Sequence, residues 1–218
     1  MSMKALFILS TIPLLTLPFL FGCASAPKKP EKMAANDYSY MEAYLNWDIP
    51  KKMKQSDVVG LSIAVVDDKN ILWSKGFGYA DKAAKRPANS KTVYRIGSIS
   101  KVFTAMGMMQ LAEAGQLDLD APIRTYIPEF SILSRFGSTD KITPRNIMNH
   151  HSGLPCDILK GWTSESDTML LSRLAQAHTA YPPNTIFSYS NVGVSLLGLA
   201  MGRIVGDDFS NHMERVMF

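Results

Sequence analysis

Every strand-forming stretch of this chain lies before Gly97, and the apolar pattern beyond it is helical. Two β-rich runs, residues 58–66 and 71–79, flank the polar tetrapeptide Asp67-Asp68-Lys69-Asn70, a hairpin signal. Val93-Tyr94-Arg95-Ile96 is a third, shorter candidate strand. Residues 98–114 then set Val102, Phe103, Met106, Met109 and Leu111 at helical spacing. Pro122 and Pro128 break residues 118–140 into irregular structure. Thr143-Pro144 supplies an N-cap and a proline at the first helical position, opening a short helix toward His151. Residues 166–178, 191–205 and 208–218 read as further helices, and one from about Asp37 carries Tyr40, Tyr44 and Trp47 on one stripe. There is no internal repeat and no strand after the helices. The sheet is therefore expected to be a hairpin plus one short strand, with an edge awaiting partners.

Before this domain runs a different kind of sequence. Lys4 precedes an apolar stretch that ends in Leu20-Phe21-Gly22-Cys23, the layout of a secretory signal. Pro13 and Pro18 argue against a straight, permanent membrane helix, although an uncleaved anchor is the alternative. The ending resembles a bacterial lipobox, which implies that Cys23 becomes the lipidated first residue. The expected organisation is a lipoprotein signal peptide over 1–22, a tether rich in Ala, Lys and Pro over 23–36, and a domain over 37–218. Such a protein sits in the bacterial cell envelope, outside the cytoplasm, attached to a membrane through lipid at the outer membrane or the periplasmic face. With only two cysteines the chain is no disulfide scaffold and holds no four-cysteine zinc site. If Cys23 carries lipid, Cys156 lacks an intramolecular partner and is expected as a small buried hydrophobe. The net charge of +4 is concentrated in residues 1–36, which carry +3 of it, so nucleic acid is not an expected partner.

Ser98 and Lys101 put a hydroxyl and an amine three residues apart, on one face if the segment is helical. A serine at a helix start feels the field of unpaired N–H groups, and a desolvated lysine beside it can draw its proton. The spacing alone is equally that of an N-capping serine and a surface lysine, and Ser138 and Lys141 share it. What singles out Ser98 is its place between a strand-like run and a long apolar helix. Tyr189-Ser190-Asn191 adds a phenol able to relay protons and an amide able to hold a carbonyl or amide group. His150 and His151 have no carboxylate or thiol cluster at ligand spacing beside them and read as loop structure rather than metal ligands.

Taken together, Tyr94-Arg95-Ile96-Gly97-Ser98-Ile99-Ser100-Lys101, His151-Ser152-Gly153-Leu154-Pro155 and Phe187-Ser188-Tyr189-Ser190-Asn191 resemble the serine β-lactamase and penicillin-binding-protein superfamily, nearest its class C-like branch. The resemblance implies an α+β fold of the β-lactamase/DD-peptidase type, an antiparallel sheet flanked by helices plus a helical lobe. It implies Ser98 as the acylated nucleophile and Lys101 as its proton acceptor or electrostatic partner. Tyr189 would be general base and acid, and Asn191 would orient the substrate amide. The substrate would be a small molecule or a peptidoglycan-type peptide, cleaved at a lactam, peptide or ester bond. A hydrolase of this kind implies no metal and no organic cofactor. Asn184 stands where the family usually has Gly, and Asn also tolerates a left-handed turn.

One departure is larger. The family's third motif, Lys or His, then a small residue, then Gly, follows the Tyr-x-Asn element on a strand that lines the far wall of the cleft. No stretch from Val192 to Phe218 fits it, and His151-Ser152-Gly153 comes too early in the chain. The expectation is therefore the amino-terminal part of a longer enzyme, with the carboxy-terminal strands missing and catalysis impaired. The competing reading is a non-catalytic envelope lipoprotein, either a binding module or a truncated remnant. The sequence gives no oligomeric state.

Overall fold

The computed structural model describes residues 25–158 and 166–218; the lipidation candidate Cys23 and the signal peptide expected over residues 1–22 lie outside them. The chain forms two compact units, one running through Tyr94 and the other spanning Arg95–Phe218.

In the first unit, helix α1 (Ser39–Gln55) precedes strands β1 (Gly60–Asp67), β2 (Asn70–Asp81) and β3 (Arg86–Pro87). β1 and β2 are antiparallel, paired from Gly60 opposite Gly78 to Asp67 opposite Asn70, with the register shifting between Val65 and Val66. The expected hairpin is present, and its ends close tighter than the tetrapeptide suggests, because Asp67 and Asn70 themselves pair. Asp68 takes up the left-handed conformation the tight turn needs, with φ of +49°. A small core gathers Ile49, Met53 and Phe77, with Leu45, Leu61, Ile63 and Trp73 against it. The buried stripe of α1 is thus Leu45, Ile49 and Met53, four residues apart. Tyr40, Tyr44 and Trp47 do share a side, in ring contact, but this is the more exposed face.

The third strand is not where β-propensity places it. Residues 93–96 form no strand, and Val93 is 94% exposed. The chain reverses after β2 through residues 82–85, so that Arg86 and Pro87 reach the free edge of β2 first, opposite Asp81 and Tyr79. Pairing goes to the segment that meets an edge, whatever the propensity of the next one.

The second unit is helical: α2 (Ser100–Glu113), α3 (Pro144–Met148), α4 (Asp167–Gln176), α5 (Asn191–Val205) and α6 (Phe209–Met217). α5 is apolar on nearly every side, as suits a helix with α2, α3 and α6 as neighbours. Val192, Leu196, Leu197, Ala200 and Met201 of α5 are buried with Met108 and Leu111 of α2, Ile147 of α3 and Leu174 of α4. The inward face of α2 differs from expectation. Thr104, Gly107, Met108 and Leu111 are buried, whereas Val102, Met106 and Met109 are exposed. The helix is apolar on both sides, so spacing alone does not choose between them. α3 opens as expected, on a capping box in which Thr143 and Asn146 exchange hydrogen bonds with each other's backbone. α4 ends at Gln176 because the next residues extend and pair with Leu133, which donates to the Ala177 carbonyl and accepts from Thr179. Among the described residues no helix is long and apolar enough to cross a membrane.

Candidate active site

The site begins with local geometry at the head of α2. Gly97–Ile99 form a single turn of 3-10 helix, and α2 proper starts at Ser100, two residues later than the apolar pattern indicates. A 3-10 turn has three residues per turn, so residues i and i+3 eclipse. Lys101 is thereby brought over Ser98, and its Nζ donates to Ser98 Oγ at 3.2 Å. The hydroxyl of Ser98 makes no capping bond to the helix, and Lys101 is half-buried, so the pair is not the cap and surface lysine that the spacing alone allows.

Tyr189 arrives from 91 residues away and donates its hydroxyl to the same oxygen at 2.7 Å. Its placement follows from Ser190, which is extended (φ −134°, ψ 116°) and almost fully buried. Ser190 Oγ accepts from Gly193 N–H, capping α5, and donates to the Pro155 carbonyl. In an extended segment alternate residues face the same way, so anchoring Ser190 inward turns Tyr189 and Asn191 outward together. Lys101 Nζ also lies 5.1 Å from the centre of the Tyr189 ring. Hydrogen bonding with Lys101, and after it with Ser98, holds the Tyr189 hydroxyl below the usual tyrosine range.

The His151–Pro155 motif acts as a rail for this segment. The carbonyls of His150, His151 and Gly153 accept from Ser188, Asn184 and Ala180, and that of Cys156 accepts from Asn191. Asn184 sits at φ +64°, the left-handed turn that its replacement of glycine requires. The backbone N–H groups of the approach to Tyr189 are thus tied to residues 150–156 along their length.

Asn191 donates its amide Nδ2 to both carboxylate oxygens of Asp157, at 3.0 and 3.2 Å. Asp157 was not indicated by any spacing; it joins the site because it follows Pro155 on the rail. Cys156 is exposed, not buried as expected, since its carbonyl is used by α5 and its side chain turns to the Asp157 carboxylate, 3.2 Å away. That contact, followed by desolvation, raises the Cys156 thiol above its ordinary range. His150 reads as loop structure in the sequence. Its ring lies against Tyr189, with centres 4.5 Å apart.

A sequence profile described as β-lactamase matches residues 46–218. The chain belongs to the β-lactamase family. Beta-lactamase-like protein 2 of Dictyostelium discoideum is 30% identical over 211 residues, covering 91% of this chain and 38% of that protein. Protein flp of Staphylococcus aureus (strain COL) is 27% identical over 169 residues, 76% of this chain and 34% of the other. Among solved structures, a β-lactamase/D-alanine carboxypeptidase from Pseudomonas syringae superposes with a TM-score of 0.70 at 26% identity, over 83% of this chain and 49% of that one. The penicillin-binding protein homologue of Pyrococcus abyssi, described as octameric, gives 0.68 at 27% identity, over 79% and 41%. The chain spans well under two thirds of the length of these curated relatives and carries the amino-terminal part of the family's fold. The helices and small antiparallel sheet are of the α+β, β-lactamase/DD-peptidase type.

Proposed function

We propose that this protein is a serine hydrolase that opens amide or ester bonds, in a β-lactam, a peptidoglycan-type peptide or an ester, through an acyl-enzyme on Ser98. The observation that supports this most is the meeting of Lys101 Nζ and Tyr189 Oη on Ser98 Oγ. Ser98 Oγ attacks the carbonyl carbon while its proton passes to the Tyr189 phenolate, which Lys101 stabilises. The carbonyl oxygen takes up the negative charge. The Ser98 N–H, which has no backbone acceptor among the described residues, is one donor for it. Collapse of the intermediate breaks the bond to the leaving amine or alcohol, and Tyr189 returns the proton to that group. Water then attacks the acyl carbon and gives its proton to Tyr189; the bond from the acyl carbon to Ser98 Oγ breaks, and Tyr189 returns that proton to Ser98 Oγ. Asn191, pinned by Asp157, holds the acyl side of the substrate.

Residues 192–218 supply neither the third motif nor its strand. We further place the protein in the bacterial envelope through lipid on Cys23.

The test is intact mass of residues 24–218 after incubation with a fluorophosphonate and, separately, a penicillin. The Ser98→Ala variant runs alongside. The expected result is a single adduct that vanishes in the variant. Folded protein that takes up neither reagent sinks the hydrolase reading and leaves a binding module or remnant.

A further inference from the structure

His150 occupies a position whose backbone asks for another residue. It follows α3 at φ +61°, its N–H donates to the Ile147 carbonyl, and the next N–H, of His151, donates to Asn146. These two bonds make a Schellman cap with His150 as its left-handed residue, the place that glycine fills most often and asparagine next. A histidine there costs about 1 kcal/mol or more against glycine. The cap does not need the side chain.

The side chain has its own contacts, with Tyr189 and its neighbours. The imidazole lies 4.5 Å from the Tyr189 ring, tilted by 39°, and edge-on to Phe187 at 5.6 Å. Its Nδ1 is 3.2 Å from the Ser190 N–H, and its own carbonyl accepts from Ser188 N–H at 2.7 Å. The residues on either side of Tyr189 are therefore tied to His150, one through the ring and one through the backbone. A nitrogen that accepts from a backbone N–H carries no proton. The ring is neutral, with its proton on Nε2. Burial, and after it the neighbouring Lys101 and His151, favours the same neutral form.

We propose that His150 is a positioning residue for Tyr189: as a neutral acceptor it clamps residues 188–190 and holds the phenol against Ser98. This rests on Tyr189 acting on Ser98, as inferred above, but its test does not depend on turnover. Two substitutions suit the backbone while deleting the ring, His150→Gly and His150→Asn. If the side chain were there for the fold, both would lose stability. If it serves Tyr189, stability in urea holds or rises while Tyr189 is released.

Tyrosine labelled with ¹³C at Cζ reports ionisation of Tyr189, assigned with Tyr189→Phe, and ¹⁵N-histidine spectra report the tautomer of His150. The expected results are an unprotonated Nδ1 in the wild type at neutral pH, and in both variants a Tyr189 pKa that rises toward the ordinary tyrosine value. Fluorophosphonate labelling of Ser98 should slow by about 10²-fold, the usual cost of a reacting group displaced by 1 Å. A protonated Nδ1, an unmoved Tyr189 titration, or loss of folding in both variants overturns the proposal. A wild type that is not labelled at all refutes the acyl-enzyme instead, and the Tyr189 titration still decides the role of His150.

Discussion

Gly153→Ala is the substitution whose cost the structure specifies most closely. Gly153 has φ of +72°, and a Cβ built on it falls 2.0 Å from the Tyr181 carbonyl oxygen. Two penalties follow. An alanine in the left-handed region costs about 1–2 kcal/mol. The contact needs a retreat of about 1 Å from a backbone that cannot rotate away, an overpacking that costs about 1–3 kcal/mol. Gly115, at φ +71° with nothing within 4 Å of its Cβ, carries the first penalty without the second. Urea unfolding should therefore place Gly115→Ala about 1–2 kcal/mol below the wild type and Gly153→Ala about 2–5 kcal/mol below it. The difference between the variants isolates the clash. Because Gly153 accepts from Ala180 on the rail that carries Tyr189, Ser98 labelling should also slow in Gly153→Ala and not in Gly115→Ala. Equal destabilisation of the two variants would refute the close approach of Gly153 to Tyr181.

Two further substitutions test the site and its support. Lys101→Met removes the hydrogen bond that most lowers the Tyr189 pKa, so the phenolate forms only at higher pH; fluorophosphonate labelling should fall by about 10²–10⁴ at neutral pH and recover further into the alkaline range. A pH profile whose rising limb stays in place would exclude Tyr189 as the proton acceptor. Asn146→Ala strips the Lys141 carbonyl and the Thr143 N–H of their partner in a buried setting, and should cost about 1–3 kcal/mol in urea unfolding.

How far the sequence could be read depended on whether a feature was local. The hairpin was legible from Asp67-Asp68-Lys69-Asn70, and the α3 cap from Thr143-Pro144, because the residues that decide each are adjacent. Ser98 and Lys101 were legible as a pair, although the 3-10 turn that eclipses them was not, since helical spacing tolerates either geometry. Third-strand placement failed at residues 93–96 because an edge of β2 decided it, and the reversal at 82–85 delivered Arg86 and Pro87 there first. The orientation of α2 failed for a related reason. With Val102, Met106 and Met109 on one side and Met108 and Leu111 on the other, only the neighbouring helices determine which side is inside.

The same distinction explains why His150 and Asp157 were missed while Tyr189 and Asn191 were not. A nucleophile and its proton acceptor announce themselves by residue type, since few side chains can do those tasks. A residue that positions them is chosen by contact, and its type is informative only against its backbone. At His150 that comparison is available. A left-handed cap accommodates glycine at less cost, and the histidine found there spends its side chain on Tyr189 and Ser190. Local backbone cost beside a reactive group is the expected mark of a residue retained for the site rather than for the fold. The position reads as ordinary loop in the sequence because its conformation, which makes histidine an unusual occupant, is not written there.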